Sequence, residues 1–250
     1  MRGTQRLDKV LSNFGFGTRS EIRQLVKNGI IKVDGAVVKD SGMQVNPESC
    51  VIEVEGERLN YREFIYVMMN KPVGVISTTE DNKQKTVLDI LPDKFKCFDL
   101  FPAGRLDIDT EGLLLLTNDG KLAHELLSPK KHVPKRYYAL VDGIITEAVV
   151  KSFKEGVILD DGYKTMPAEL FILKEGQRSE IELVLHEGKF HQVKRMFEAV
   201  GSKVLFLKRI RMGGLDLDPE LEAGECRELT AEEVGLLKQA PDEIAALRSQ

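Results

Sequence analysis

FPAGRLDIDTEGLLLLTNDG, residues 101–120, sets the frame for everything around it. The run GLLLLT within it is continuous, apolar and of strand length, which reads as a strand buried on both faces. Asp119-Gly120 closes that strand as a turn, and KLAHELL after it reads as a short helix. Ahead of the strand, GRLDIDT is polar and rich in turn formers. Asp107 and Asp109 therefore sit on a loop, where DIDT on its own is good turn chemistry.

Working outward, FIYVMMNKPVGVIS (64–77) predicts a strand interrupted by a Lys-Pro-x-Gly turn. KRYYALVDG, SEIELVLHEG and KVLFLKRIRMGG predict further strands, and GKFHQVKRMFEAVG a helix with Val193, Phe197 and Val200 along one side. Thr230 and Glu233 form a capping box opening a C-terminal helix. Strands and helices are mixed without strand-helix-strand alternation, which gives an α+β class. No glycine-rich phosphate loop follows a strand, so no nucleotide cofactor is expected.

The first sixty residues form a separate pattern. Leu7, Val10, Leu11 and Phe14 recur at helical spacing. Thr18 and Glu21 form a capping box for a second helix, with Ile22, Leu25 and Val26 inward and Arg19, Arg23 and Lys27 four apart on the other face. Asp34-Gly35 between IIKV and AVV predicts a two-residue hairpin. The polar stretch ERLNYRE places a boundary near residue 60, giving domains over 1–60 and 61–240 and an acidic end over 241–250.

Of 250 residues, 42% are hydrophobic and 30% charged, as in globular proteins. MRGTQRLDKV carries no apolar run behind its charges, so no secretory signal is expected, nor any membrane association. Cys50, Cys97 and Cys226 form no CxxC pair, which favours a reducing, cytoplasmic setting. His124, His132, His186 and His191 make no metal-ligand motif, and His191 reads as a hydrogen-bonding residue at a helix start. The net charge of −4 conceals an uneven distribution: +5 over residues 1–39, +6 over 188–211 and −7 over 215–250. A polyanion responds to local potential, so two basic zones suit nucleic acid.

Two resemblances follow. The helix-loop-helix and DG hairpin resemble the S4 RNA-binding domain, which implies RNA contacts from Arg6, Arg19, Ser20, Arg23, Lys27 and Lys32. The 101–120 stretch, with NKPVG (70–74), PKRYYAL (134–140) and EGKFHQVKRMF (187–197) in order, resembles the RsuA-like ribosomal RNA pseudouridine synthases. That family implies a mixed, mostly antiparallel sheet flanked by helices and an isomerisation of uridine with no cofactor or metal. It implies Asp107 as nucleophile, Arg105 as the residue that displaces the flipped nucleotide, and Tyr137 stacked on the uracil. Lys194 matches the cation beside the catalytic aspartate. Lys135, Arg136 and Arg195 are expected to contact RNA, and Lys71, Pro72 and Gly74 to form a structural turn. The expected partner is ribosomal RNA, within a ribosome-assembly intermediate, bound by a monomer. HQVKRMF, AGRLDIDT and the DPELEAGECRELTAEEV tail most resemble enzymes of small-subunit 16S RNA. The alternatives are the same chemistry on 23S RNA and a non-catalytic S4-type assembly factor.

Overall fold

The computed structural model describes residues 3–238 and divides the chain into two compact units. The predicted acidic end at 241–250 lies outside the described residues. Among the described residues the first unit comprises residues 3–65 together with Leu91–Leu100, and the second Tyr66–Ile90 and residues 101–238.

In the first unit, β1 (Gln5–Arg6) leads into α1 (Leu7–Asn13), followed by α2 (Arg19–Lys27), β2 (Ile31–Val33), β3 (Ala36–Val37), β4 (Gln44–Val45), β5 (Ile52–Val54) and β6 (Glu57–Arg58). The Thr18 box forms as predicted: Thr18 N donates to Glu21 Oε2 at 2.7 Å, and Glu21 N donates to Thr18 Oγ1. Asp34 and Gly35 both take positive φ (51° and 79°), which a two-residue type I′ turn between twisted strands requires. Leu7, Leu11, Ile22, Ile31 and Ile52 pack into one core. That burial turns Arg19, Arg23 and Lys27 to solvent, and among the described residues none of them forms an ion pair.

Leu91–Leu100, which contains α3 (Asp93–Lys96), groups with this unit although its sequence position lies in the predicted second domain. Phe98 packs edge-on against Phe14 with centroids 5.5 Å apart, and Cys97 lies against Gly15. These contacts, distant in sequence, tie the segment to the first unit.

The second unit is built on a mixed sheet. Its strands are β7 (Tyr66–Lys71), β8 (Phe101–Pro102), β9 (Glu111–Thr117), β10 (Lys135–Asp142), β11 (Glu169–Lys174), β12 (Arg178–Leu185), β13 (Lys203–Met212), β14 (Leu215–Asp216) and β15 (Cys226–Glu228). Their order is β11-β12-β10-β13-β9-β7-β15, with β14 beside β13 and β8 beside β9. Among the strand pairings of the described residues, β13–β9 is parallel and the others in this sheet are antiparallel. β9 is buried through its four leucines. Gly112 permits the parallel pairing, because an added Cβ there would strike the backbone of Arg209.

Among the described residues the α-helices of this unit are α4 (Gly120–Leu127), α5 (Glu147–Glu155), α6 (Gln192–Ala199) and α7 (Ala231–Lys238). Leu122, Leu126 and Leu237 pack with Met68, Leu113 and Leu115 in the core. Asp119-Gly120, read as a turn, is instead a helix start. The Asp119 carboxylate accepts from the amides of Lys121 and Leu122, satisfying donors that the first turn leaves open.

Candidate active site

The loop between β8 and β9 carries Asp107, and a neighbouring segment fastens it residue by residue. Ser77 Oγ donates to Leu106 O at 3.0 Å and accepts from Leu106 N at 3.1 Å. Gly74 N donates to Ile108 O at 2.8 Å. Lys71 is fully buried, and its ammonium donates to Pro72 O, Asp107 O and Thr110 O at 2.9, 3.0 and 3.0 Å. Burial pushes its pKa down from 10.5 to about 8, against the attraction of Asp107, Asp109 and Glu111. The first motif is thus a clamp. Lys71, Gly74 and Ser77 hold the backbone on both sides of Asp107 and leave its side chain free.

That side chain meets the start of α6. Asp107 Oδ2 lies 3.3 Å from Lys194 Nζ, and Oδ1 lies 3.7 Å from His191 Nε2. Lys194 also reaches Asp109 Oδ1 at 2.5 Å, its shorter contact. The hydrogen bond from Lys194 holds the Asp109 carboxyl below the usual carboxylate range. One cation therefore serves two carboxylates, with the more exposed Asp109 acting as a strut. Gln192 secures the helix entry: its side chain accepts from Lys189 N at 2.8 Å and donates to Glu187 at 2.7 Å.

Asp107, Arg105, Tyr137, His191 and Lys194 line one open cleft. Tyr137 is 8% exposed and forms part of the wall from β10. Tyr138 faces the other way, donating to Glu180 at 3.0 Å. Arg105 is exposed, and among the described residues no carboxylate pairs with it. The predicted quartet is therefore gathered in one place.

Several basic residues expected to meet RNA are committed elsewhere. Lys135 is buried, with its ammonium donating to Val133 O at 2.8 Å. Burial, then the nearby charge of Arg209, lowers its pKa to about 8. Strand alternation explains the correction, since Lys135 shares the inward face with Tyr137. Arg136 lies 2.7 Å from Glu182 and over the Phe171 ring. Arg195 is held by Asp160 and Asp161 at 2.5 and 2.7 Å, and Arg6 by Asp8 at 2.6 Å. His191 stands at a helix start as expected, but not as a capping donor or acceptor. It occupies the α6 N-cap at φ 49° without a capping bond, and its ring turns to Asp107 instead. Ser77, Thr110 and the clamping role of Lys71 were missed, although Lys71 and Thr110 lie within the recognised motifs and Ser77 only three residues beyond one. Among the described residues no group of three His, Cys, Asp or Glu side chains stands in metal-ligating position.

An S4-like helical unit and a clamped aspartate in an aromatic-walled cleft define an RNA-modifying isomerase of the pseudouridine synthase class. The RNA pseudouridylate synthase family model matches residues 65–199 and the S4 domain model residues 5–49. The chain belongs to that family and is of RsuA type. An uncharacterised RNA pseudouridine synthase of Bacillus subtilis is 51% identical over 94% of this chain and 98% of its own length. Small-subunit pseudouridine synthase A of Vibrio cholerae is 43% identical over 92% of this chain and 97% of its own. Large-subunit pseudouridine synthase B of B. subtilis is 42% identical over 95% and 97%. A crystal structure of a pseudouridylate synthase aligns over 93% of this chain and 99% of its own at a TM-score of 0.65 and 36% identity. No helix among the described residues is long and apolar enough to cross a membrane.

Proposed function

We propose that the protein isomerises one uridine of small-subunit 16S ribosomal RNA to pseudouridine, in the cytoplasm, on an assembling subunit. The observation that carries the chemistry is the Asp107 carboxylate, presented to an open cleft between Lys194 and His191 with Tyr137 in the wall. The N1 glycosidic bond breaks, the uracil turns in place, and C5 bonds to the ribose while its proton is lost and N1 gains one. Atoms and electrons balance without a co-reactant. Asp107 acts as nucleophile, Lys194 pairs with it at 3.3 Å, and Tyr137 stacks on the uracil. Arg105, which no carboxylate pairs with among the described residues, fills the space the extruded base leaves.

The choice of 16S rests on the likeness of HQVKRMF, AGRLDIDT and the 218–234 segment to small-subunit enzymes. Carbodiimide mapping of both ribosomal RNAs from a deletion strain tests it: loss of one pseudouridine in 16S RNA is expected. A loss confined to 23S RNA would reassign the substrate, and no loss in either would remove the enzymatic reading.

The α2 face supplies affinity in this proposal. Lys and Arg on one helix face can track phosphates without reading bases. Replacing Arg19, Arg23 and Lys27 together with glutamine should weaken RNA binding and reduce the slope of log K against log salt by about two to three. A slope unchanged in filter-binding titrations would place the RNA on another surface.

A further inference from the structure

Phe190 is used by neither the core nor the proposed chemistry. It is 70% exposed, the highest value among the large exposed hydrophobics, while Val193, Met196 and Phe197 just beyond it are buried. Its chain neighbours Lys189 and His191 both line the cleft, which puts Phe190 at the rim. One face of its ring is taken, stacked on the His191 imidazole with centroids 3.8 Å apart and planes 18° apart. His191 lies 3.7 Å from the Asp107 carboxylate, so ring, imidazole and carboxylate form a continuous row. His191 takes φ 49°, a left-handed conformation uncommon in non-glycine residues, though less so for histidine than for most.

A base drawn out of RNA leaves its neighbour with an uncovered face, and proteins that extrude bases cover such faces with aromatic or apolar side chains. Resting on the reading of the cleft as the uridine site, we propose that Phe190 is a stacking platform for the nucleobase next to the target uridine. Its ligand is one unpaired nucleobase, and stacking accepts any base because each has a π face. The platform acts in substrate binding and makes no contact with the reacting bonds.

The test uses full-length protein carrying Asp107→Asn, so that no turnover intervenes. The probe is a nine-nucleotide RNA with a central uridine flanked on both sides by 2-aminopurine. Binding should quench the 2-aminopurine fluorescence. Phe190→Leu should lose the quench and weaken binding on the order of ten- to a hundredfold, whereas Phe190→Tyr keeps both. The leucine variant separates stacking from a merely apolar contact. A quench retained in Phe190→Leu, or no binding of the probe at all, overturns the platform.

Pseudouridine formation on 16S and 23S transcripts by the otherwise unaltered chain gives a second readout. KM should rise in Phe190→Leu while kcat holds. Equal KM would overturn the platform and leave the synthase reading intact. No activity of the unaltered protein on either transcript would strike the synthase reading alone, and the quench would still decide the role of Phe190.

Discussion

Asp107→Asn is expected to reduce pseudouridine formation by at least about 10⁴-fold while RNA affinity stays within about threefold. Asparagine keeps the shape of the side chain, and the backbone around it is fixed independently by Lys71, Gly74 and Ser77. What disappears is the negative oxygen. An amide is not a competent nucleophile, nor does it form an ion pair with Lys194. Binding should survive, because a carboxylate at an RNA site repels phosphate and its loss cannot weaken that term.

Asp109→Asn is the matched control. Its carboxylate is more exposed than that of Asp107 and acts by holding Lys194 at 2.5 Å. Once it is neutralised, Lys194 can turn fully to Asp107, 3.3 Å away, so activity should fall by less than about tenfold. Tritium release from C5-labelled RNA measures both variants, and circular dichroism melts check that each is folded. Comparable losses in the two would mean that Asp107 is not the distinct group.

How much of this was visible in the sequence depends on whether the signal was local. The Thr18 box, the Asp34-Gly35 hairpin and strands β7, β9, β10, β12 and β13 are set by adjacent residues and were legible. Helix α5 was not. Its Thr146 start has no side-chain cap, and of its residues only Phe153 is fully buried. Edge strand β11 exposes Phe171 and Leu173, which blurs its alternation. Leu91–Leu100 is placed by contacts with Phe14 and Gly15, far away in sequence.

In the site, motif spacing picked out Asp107, Arg105, Tyr137 and Lys194, but the partners of charged groups were hidden. Lys135 and Lys194 both sit in basic strings, yet one is buried under the sheet and the other faces carboxylates. Strand parity with Tyr137 was a usable clue for Lys135. No local pattern announces that His191 will adopt a left-handed backbone.

Lys71→Met separates stability from activity, and both halves can be measured. The lowered pKa, 10.5 to about 8, means the folded state disfavours the ammonium by about 3 kcal/mol relative to its neutral form. Methionine removes that penalty. It also leaves three carbonyl oxygens without their donor, at about 1–3 kcal/mol each where water does not reach them. These terms oppose one another and are of similar size, so stability should move by only a few kcal/mol. Activity has no such offset. Two of the three carbonyls belong to Asp107 and Thr110, and a shift of about 1 Å at a reacting group can cost about 100-fold.

The expected result is a fall in kcat of about 100-fold with the RNA dissociation constant nearly unchanged. A pH series supplies the sign. Between about 8 and 10.5 the unfolded chain binds more protons at residue 71 than the folded one, so the penalty is full at neutral pH and stability rises through that window. Lys135, also near 8, adds a rise of the same sign. Urea unfolding at pH 7.5 and 9.5 should therefore show a smaller rise in Lys71→Met than in the unaltered protein. An equal rise in both would mean that burial does not lower the Lys71 pKa, and full activity in the variant would mean that the buried ammonium does not hold the Asp107 loop.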